Sequence, residues 1–318
     1  MTDAHGQLLA ARYEILRSIG QGGCATVYEA LDRKTRRHVA VKVAFAARGQ
    51  EELSRRLERE TRVAAALHHP NICSVTDAGR LENGTPFFVM ERLFGETLRD
   101  VLRRSERLRA SFALDVAAQT LSALDAAHAA GFVHRDVKPE NVFLVSRRGC
   151  GPLVKLLDFG LCCPTHDAPV SDVTLTRAGA VVGTPEYMSP EQASGERRFD
   201  PRLDVYATGL VLYESLTGLR PYAGDGLRAM ISKIVGGTLL PVSTVRPDLP
   251  SVLDAVLARA TARDPKARYA SARELLHAVF TLADRRDVRA HEPDDDPTSH
   301  DAATRPTIRI RTEPTARA

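Results

Sequence analysis

The feature that most restricts the folds open to this chain is a polar loop set between two apolar stretches. Residues 132–141 read Phe-Val-His-Arg-Asp-Val-Lys-Pro-Glu-Asn. Before them, Leu114, Ala118, Leu121, Leu124 and His128 recur at i, i+4, i+7, i+10 and i+14, the stripe of a buried helix that Gly131 stops. After them, residues 154–160 (Val-Lys-Leu-Leu-Asp-Phe-Gly) read as a strand ending in an acid, with room for a short β-hairpin in between. Asp136 can accept a proton, Lys138 can hold an anion, and Asn141 and Asp158 are hard oxygen donors suited to Mg²⁺ or Mn²⁺. His128 and His134 read as packing and hydrogen-bonding residues rather than bases.

Composition narrows the classes. A hydrophobic share of 43% and a charged share of 26% over 318 residues are those of a soluble globular protein of one large or two modest domains. A net charge of +4 is too small to make nucleic acid the main partner. The five cysteines are scattered, two of them adjacent (Cys162 and Cys163), and none forms a C-x-x-C pair, so a reduced, cytoplasmic setting is expected. Neither a membrane-length apolar run nor a secretory signal pattern is present in the sequence.

The first third reads as strands around one helix. Residues 13–19 and 26–30 flank the cluster Gly20-Gln21-Gly22-Gly23-Cys24-Ala25, a hairpin with a flexible tip. Glycines let the backbone approach phosphate oxygens and direct N–H groups at them. A dinucleotide loop would open a helix here, whereas Thr26-Val27-Tyr28 continues as a strand. Residues 39–43 form a buried-strand pattern interrupted by Lys42, which costs free energy unless the lysine is paired. Residues 51–67 read as a helix offering Glu51, Glu52, Glu58 and Glu60 as partners, and residues 72–90 as two strands around Glu82-Asn83-Gly84.

Taken in order, these segments resemble the motifs of eukaryotic-type serine/threonine protein kinases, and most of all the bacterial members. Residues 134–141 match H-R-D-x-K-P-x-x-N, residues 39–42 are similar to V-A-I-K, and residues 158–160 are D-F-G. Residues 20–27 match G-x-G-x-x-G-x-V with Ala25 in place of the third glycine, and Ser189-Pro190-Glu191 stands for A-P-E. The resemblance spans about residues 13–282.

It implies an α+β, bilobal fold: a β-rich N-lobe (13–93) with one helix and a mainly helical C-lobe (94–283), after a leader (1–12) and before a disordered tail (284–318). ATP would lie between the lobes, against Ile19, Gly20, Gln21, Gly22, Gly23, Cys24, Ala25, Thr26, Val27 and Ala40. Met90 would back the adenine pocket, and the Glu91 carbonyl and Leu93 amide would bond the adenine edge. Lys42 would grip the α- and β-phosphates and pair with Glu60, chosen for its distance from residues 67–72. Asp136 would be the base, Lys138 the phosphate clamp, and Asn141 and Asp158 the Mg²⁺ or Mn²⁺ ligands. The implied reaction passes the γ-phosphoryl of ATP to a protein serine or threonine.

The same resemblance assigns regulation. Thr174 and Thr176 are expected to be phosphorylated by a second copy of the chain, the added charge ordering their loop against Arg135. Thr184 should bond Asp136 and Lys138, Glu191 should pair with Arg268, and Asp204 should hold the catalytic loop through backbone bonds. Cys162 and Cys163 read as small buried side chains. Rival readings are a scaffold that keeps the fold without chemistry, a small-molecule phosphotransferase and a nucleic-acid binder. The first would be favoured by loss of Lys42, Asp136 or Asp158, and all three are present.

Overall fold

The computed structural model of the protein describes residues 6–21, 25–44, 67–105, 107–147, 149–158, 163–164, 185–196, 200–222 and 226–284. All of the helix expected over 51–67 except Leu67, and the tail beyond Asp284, lie outside the described residues.

Period-two alternation and turn chemistry build the N-terminal part. β1 (Leu8–Leu9), β2 (Tyr13–Gln21), β3 (Ala25–Asp32), β4 (Arg37–Ala44), β5 (Val75–Arg80) and β6 (Pro86–Glu91) form one antiparallel sheet in the order β1-β2-β3-β4-β6-β5. The β5–β6 connection closes as the sequence predicts, with Gly84 at φ +80° and the Leu81 N–H donating to Thr85 O at 2.8 Å. One face buries Tyr13, Ile15, Ala30, Val41, Phe87 and Val89, with Tyr13 edge-on to Phe87. Leu9, within the segment read as a leader, is buried on this core, and β1 pairs with β2.

The chain then becomes helical: α1 (Leu98–Arg104), α2 (Ala110–Ala129), α3 (Pro190–Ala193), α4 (Arg202–Thr217), α5 (Leu227–Gly236), α6 (Val242–Val245), α7 (Val252–Ala260) and α8 (Ala272–Ala283). The apolar residues of the predicted stripe of α2 are buried, Leu114, Leu121 and Leu124 completely, and His128 partly so. α4 runs through the centre, and every residue from Leu203 to Thr217 is buried. Its hydroxyls survive burial by donating to the carbonyl one turn back, Thr208 to Asp204 O, Ser215 to Val211 O and Thr217 to Tyr213 O, each at 2.7 Å. Gly209 permits a close helix crossing, since a Cβ there would stand 2.9 Å from Thr261 Cγ2 and 3.0 Å from Ala260 Cβ.

A small sheet carries the loops between the two parts. β7 (Gly95–Thr97), β9 (Val142–Val145) and β10 (Leu153–Leu156) are ordered β10-β9-β7, the β9–β10 pair being the expected hairpin between Asn141 and Asp158. β8 (Phe132–Val133) pairs with β11 (Cys163–Pro164). Gly95 cannot be replaced here, because its φ is +152° and an added Cβ would lie 2.0 Å from Leu144 O.

Candidate active site

The loop after β8 is held from below. Asp204, fully buried near the start of α4, accepts the backbone N–H groups of His134 and Arg135, both at 2.8 Å, and lies 2.7 Å from His128 Nε2. Arg135 adopts φ +69°, the left-handed turn that lets two successive N–H groups converge on one carboxylate. Burial alone would raise the Asp204 carboxyl, but the hydrogen bond and charge of His128 outweigh it and hold the group below the usual range. Asp136 N–H donates to His134 Nδ1 at 3.3 Å, so Nε2 carries the ring proton and donates to Leu157 O at 2.9 Å. His134 therefore ties the loop to the end of β10, in the structural role expected of it.

Four polar side chains meet above this anchor. Lys138 Nζ donates to both Asp136 oxygens at 2.7 and 2.9 Å. Asn141 Nδ2 donates to Asp136 O at 2.7 Å and to Oδ2 at 3.0 Å, turning its carbonyl oxygen away from Asp136. Asp158 sits at φ +54° with its side chain 42% exposed, and Lys42 Nζ contacts its Oδ1 directly. Partial loss of solvent would push the Asp158 carboxyl up, but Lys42 outweighs it, with smaller help from His134 and Lys138, and the group is held low. The Lys42–Asp158 ion pair was not foreseen, because a strand and a loop 116 residues apart share no local signal.

Adjacent registers bring the other candidates together. Gly20 pairs with Val27, Gln21 with Thr26, Val27 with Lys42, Lys42 with Phe88, and Ala40 with Met90, which sets β2, β3, β4 and β6 side by side. Ala25 and Ala40 are buried, and Ile19, Val27 and Met90 partly so. Lys42 Nζ stands 5.4 Å from the centre of the Phe88 ring. Leu93 O accepts from Arg92, whose guanidinium stacks on Phe94 at 4.6 Å. The Glu91 side chain is also engaged, its Oε1 accepting Lys155 Nζ at 2.7 Å and the Ser74 N–H at 2.8 Å. Gly22, Gly23, Cys24, Glu60, Thr174, Thr176 and Thr184 lie outside the described residues.

The segment from Tyr187 to Gln192 rests on buried ion pairs. Arg268 pairs bidentately with Glu191 at 2.7 and 2.8 Å, as the sequence suggests, and stacks on Tyr206 at 4.6 Å. Ser189 and Gln192 form a capping box at the start of α3, and Gln192 Nε2 donates to Arg135 O at 3.1 Å. Arg99 is a hub that the sequence reading missed. It bonds Glu140 at 2.9 Å and Glu214 at 2.7 Å, and contacts the Tyr187 hydroxyl. A buried arginine in a polar-looking helix start was the available signal, but nothing local names its partners.

The arrangement offers a carboxylate beside an ammonium group, a second carboxylate beside another, and an amide oxygen turned away from the first carboxylate. It can accept a proton, hold phosphate oxygens and offer two hard oxygen donors to a divalent cation. A family model described as "Protein kinase domain" matches residues 13–281. The chain is 40% identical over 287 residues to the serine/threonine-protein kinase PknA of Mycobacterium tuberculosis, covering 89% of this chain and 64% of that one. It is 38% identical over 283 residues to a probable serine/threonine-protein kinase PknB of Bifidobacterium longum, covering 86% and 40%. It spans about half or less of the length of several such relatives, including the serine/threonine-protein kinase pkn3 of Myxococcus xanthus, at 49%. The crystal structure of the PknI kinase domain of M. tuberculosis superposes with a TM-score of 0.68 at 30% identity, covering 89% of this chain and all of that one. On its sheet-rich first part, its helical second part and these matches, the chain belongs to the protein kinase domain family.

Proposed function

We propose that the protein transfers the γ-phosphoryl group of ATP to serine or threonine hydroxyls of proteins. The observation that carries this reading is the convergence of Lys138 and Asn141 on Asp136, with Asp158 and Lys42 paired nearby. The acceptor O–H donates its proton to the Asp136 carboxylate. Its oxygen bonds to the γ-phosphorus as the bond to the bridging oxygen of ADP breaks. Lys138, already on Asp136, balances charge on the moving phosphoryl group, and Lys42 holds the α- and β-phosphates. Such chemistry is mostly positioning and electrostatics.

The residues fit a divalent ion. Asn141 offers an amide oxygen turned from Asp136, and Asp158 a carboxylate that keeps its charge. Among the described residues no cluster of three or more His, Cys, Asp or Glu side chains forms a dedicated cage. Few protein ligands, with phosphate and water completing the shell, suits Mg²⁺, and Mn²⁺ shares the preference for oxygen. When bound, the ion neutralises phosphate charge.

The catalytic unit is read as residues 13–283, in line with the family match. Residues 19–27, Ala40, Met90, Glu91 and Leu93 are assigned to the nucleotide, with Glu60 as partner of Lys42. Thr174 and Thr176 are assigned as sites phosphorylated by a second copy and read by Arg135, and Thr184 as a partner of Asp136 and Lys138. No described helix is long and apolar enough to cross a membrane.

The test is transfer of labelled phosphate from ATP, with Mg²⁺, to the protein itself and to a basic acceptor protein. Label on serine and threonine should fall by about 10²–10⁴-fold in Asp136→Asn. Undiminished label in that variant, or none in the native chain despite ATP binding, overturns the proposal.

A further inference from the structure

Between α4, the α5–α6 connection and α7, the C-terminal part forms an open cavity of about 280 Å³. Tyr213, Tyr222, Leu239, Pro241 and Leu257 line it, and Arg263 stands among the lining residues. A single aromatic ring fits a cavity of roughly half that volume. This space therefore has room for a ring with a short arm. Three features say what would fill it.

Tyr222 is held at φ +53°, an unfavourable backbone for an aromatic residue, and that turn brings its ring to the cavity. The Tyr206 hydroxyl donates to Tyr222 Oη at 3.0 Å, so the proton of Tyr222 remains to be donated, and no described residue accepts it. Arg263 donates through Nη2 to Gly236 O and Gly237 O, and no described carboxylate pairs with it. The acid in the lining, Asp254, is already satisfied by the Ser243 N–H at 3.0 Å and the Ser243 hydroxyl at 2.5 Å. Among the described residues, an apolar lining, a phenol donor with no acceptor and an exposed arginine with no ion-pair partner are complementary to an aromatic ring bearing a carboxylate.

We propose that this cavity binds a small aryl carboxylate, its ring among Tyr213, Leu239 and Leu257 and its carboxylate toward Tyr222 and Arg263. The site lies outside the residues assigned to ATP, so its occupancy does not depend on the kinase reading. The probe is 3-phenylpropionate, titrated calorimetrically into the full chain with a non-hydrolysable ATP analogue and Mg²⁺ present. One saturable site is expected. The neutral amide of the probe should bind about tenfold or more weakly, the loss expected for one charge-assisted hydrogen bond.

Arg263→Met should weaken the acid by a similar factor and leave the amide unchanged. Ala258→Phe, at an exposed lining position on α7, should fill the space and abolish binding of both. Unchanged thermal midpoints and analogue affinity in the variants show that the fold is intact. Absence of saturable binding, equal affinity for acid and amide, binding that survives Ala258→Phe, or displacement by the ATP analogue would each overturn the proposal.

Discussion

Two lysines interrupt buried strands of this protein, and the same physical rule applies to both. A primary ammonium group inside an apolar run must find an acceptor or lose solvation it cannot recover. For Lys42 the rule marks a functional candidate. For Lys155 on β10, 9% exposed, it predicts a partner without naming one, and the partner is Glu91, 64 residues away. Because Glu91 Oε1 also accepts the Ser74 N–H, the pair fastens the end of β6 to the strand leading into Asp158. Cys73, in the same neighbourhood, shows how burial changes chemistry. Loss of solvent pushes its thiol up to about 12, leaving on the order of 10⁻⁴ thiolate at pH 8. Brief iodoacetamide treatment of the folded protein should modify exposed Cys150 and spare Cys73 until denaturant is added. Peptide mapping that finds the two labelled at equal rates would contradict this burial.

At the scale of elements, the loop after β8 has little regular structure of its own and is shaped by the helix beneath it. Asp204 supplies acceptors for two successive backbone N–H groups, and it can do so only because α4 is buried along its length. Asp204→Ala leaves both N–H groups without that acceptor, at about 1–3 kcal/mol each. Urea unfolding of the variant should show a loss of about 2–5 kcal/mol, with phosphate transfer falling along with it. Asp204→Asn, which keeps one acceptor oxygen, should recover part of the stability. A variant as stable and active as the native chain would remove Asp204 from this role. The elements themselves were largely legible. α2 announces itself by its 3.6-residue stripe, and the strands by apolar runs broken by Gly, Asn and a lysine that needs a partner. α4 was legible only in part, since the hydroxyls and acids in it would suit a surface helix equally well. Their burial depends on i−4 carbonyls and on partners from other segments.

Across the whole molecule, charge pairs between distant segments hold the parts in place. Arg268 with Glu191 and Arg99 with Glu140 and Glu214 join α1, the loop after β8, α3, α4 and the stretch before α8. Several carboxyls are held below their ordinary values, Asp32 chiefly by its hydrogen bond to Arg12. In Asp204 the opposing cost of burial is outweighed by His128, and in Asp158 that of partial loss of solvent is outweighed by Lys42. A carboxyl whose folded value lies below its unfolded value of about 3.9 stabilises the protein fully above that value. The contribution is lost as pH falls through the folded value. Thermal midpoints should thus be flat from neutral pH down to about 5 and drop steeply below about 4. In Asp204→Ala that drop should be shallower, and an unchanged slope would show that the group does not contribute.

The sequence by itself determined the order of elements, the buried stripes and the glycine-bearing turns, and its family resemblance nominated Lys42, Asp136, Lys138, Asn141 and Asp158 as the proposed chemical set. The elements follow from local rules: residue period, backbone freedom and the cost of an unpaired charge in an apolar run. Tertiary structure alone decided that Lys42 meets Asp158, that Lys155 reaches Glu91, that Arg99 becomes a hub, and that a cavity opens beside Tyr222. Each depends on segments tens of residues apart being brought within a few ångströms, and hydrogen-bonding type in a sequence names what a side chain needs without saying which distant group supplies it.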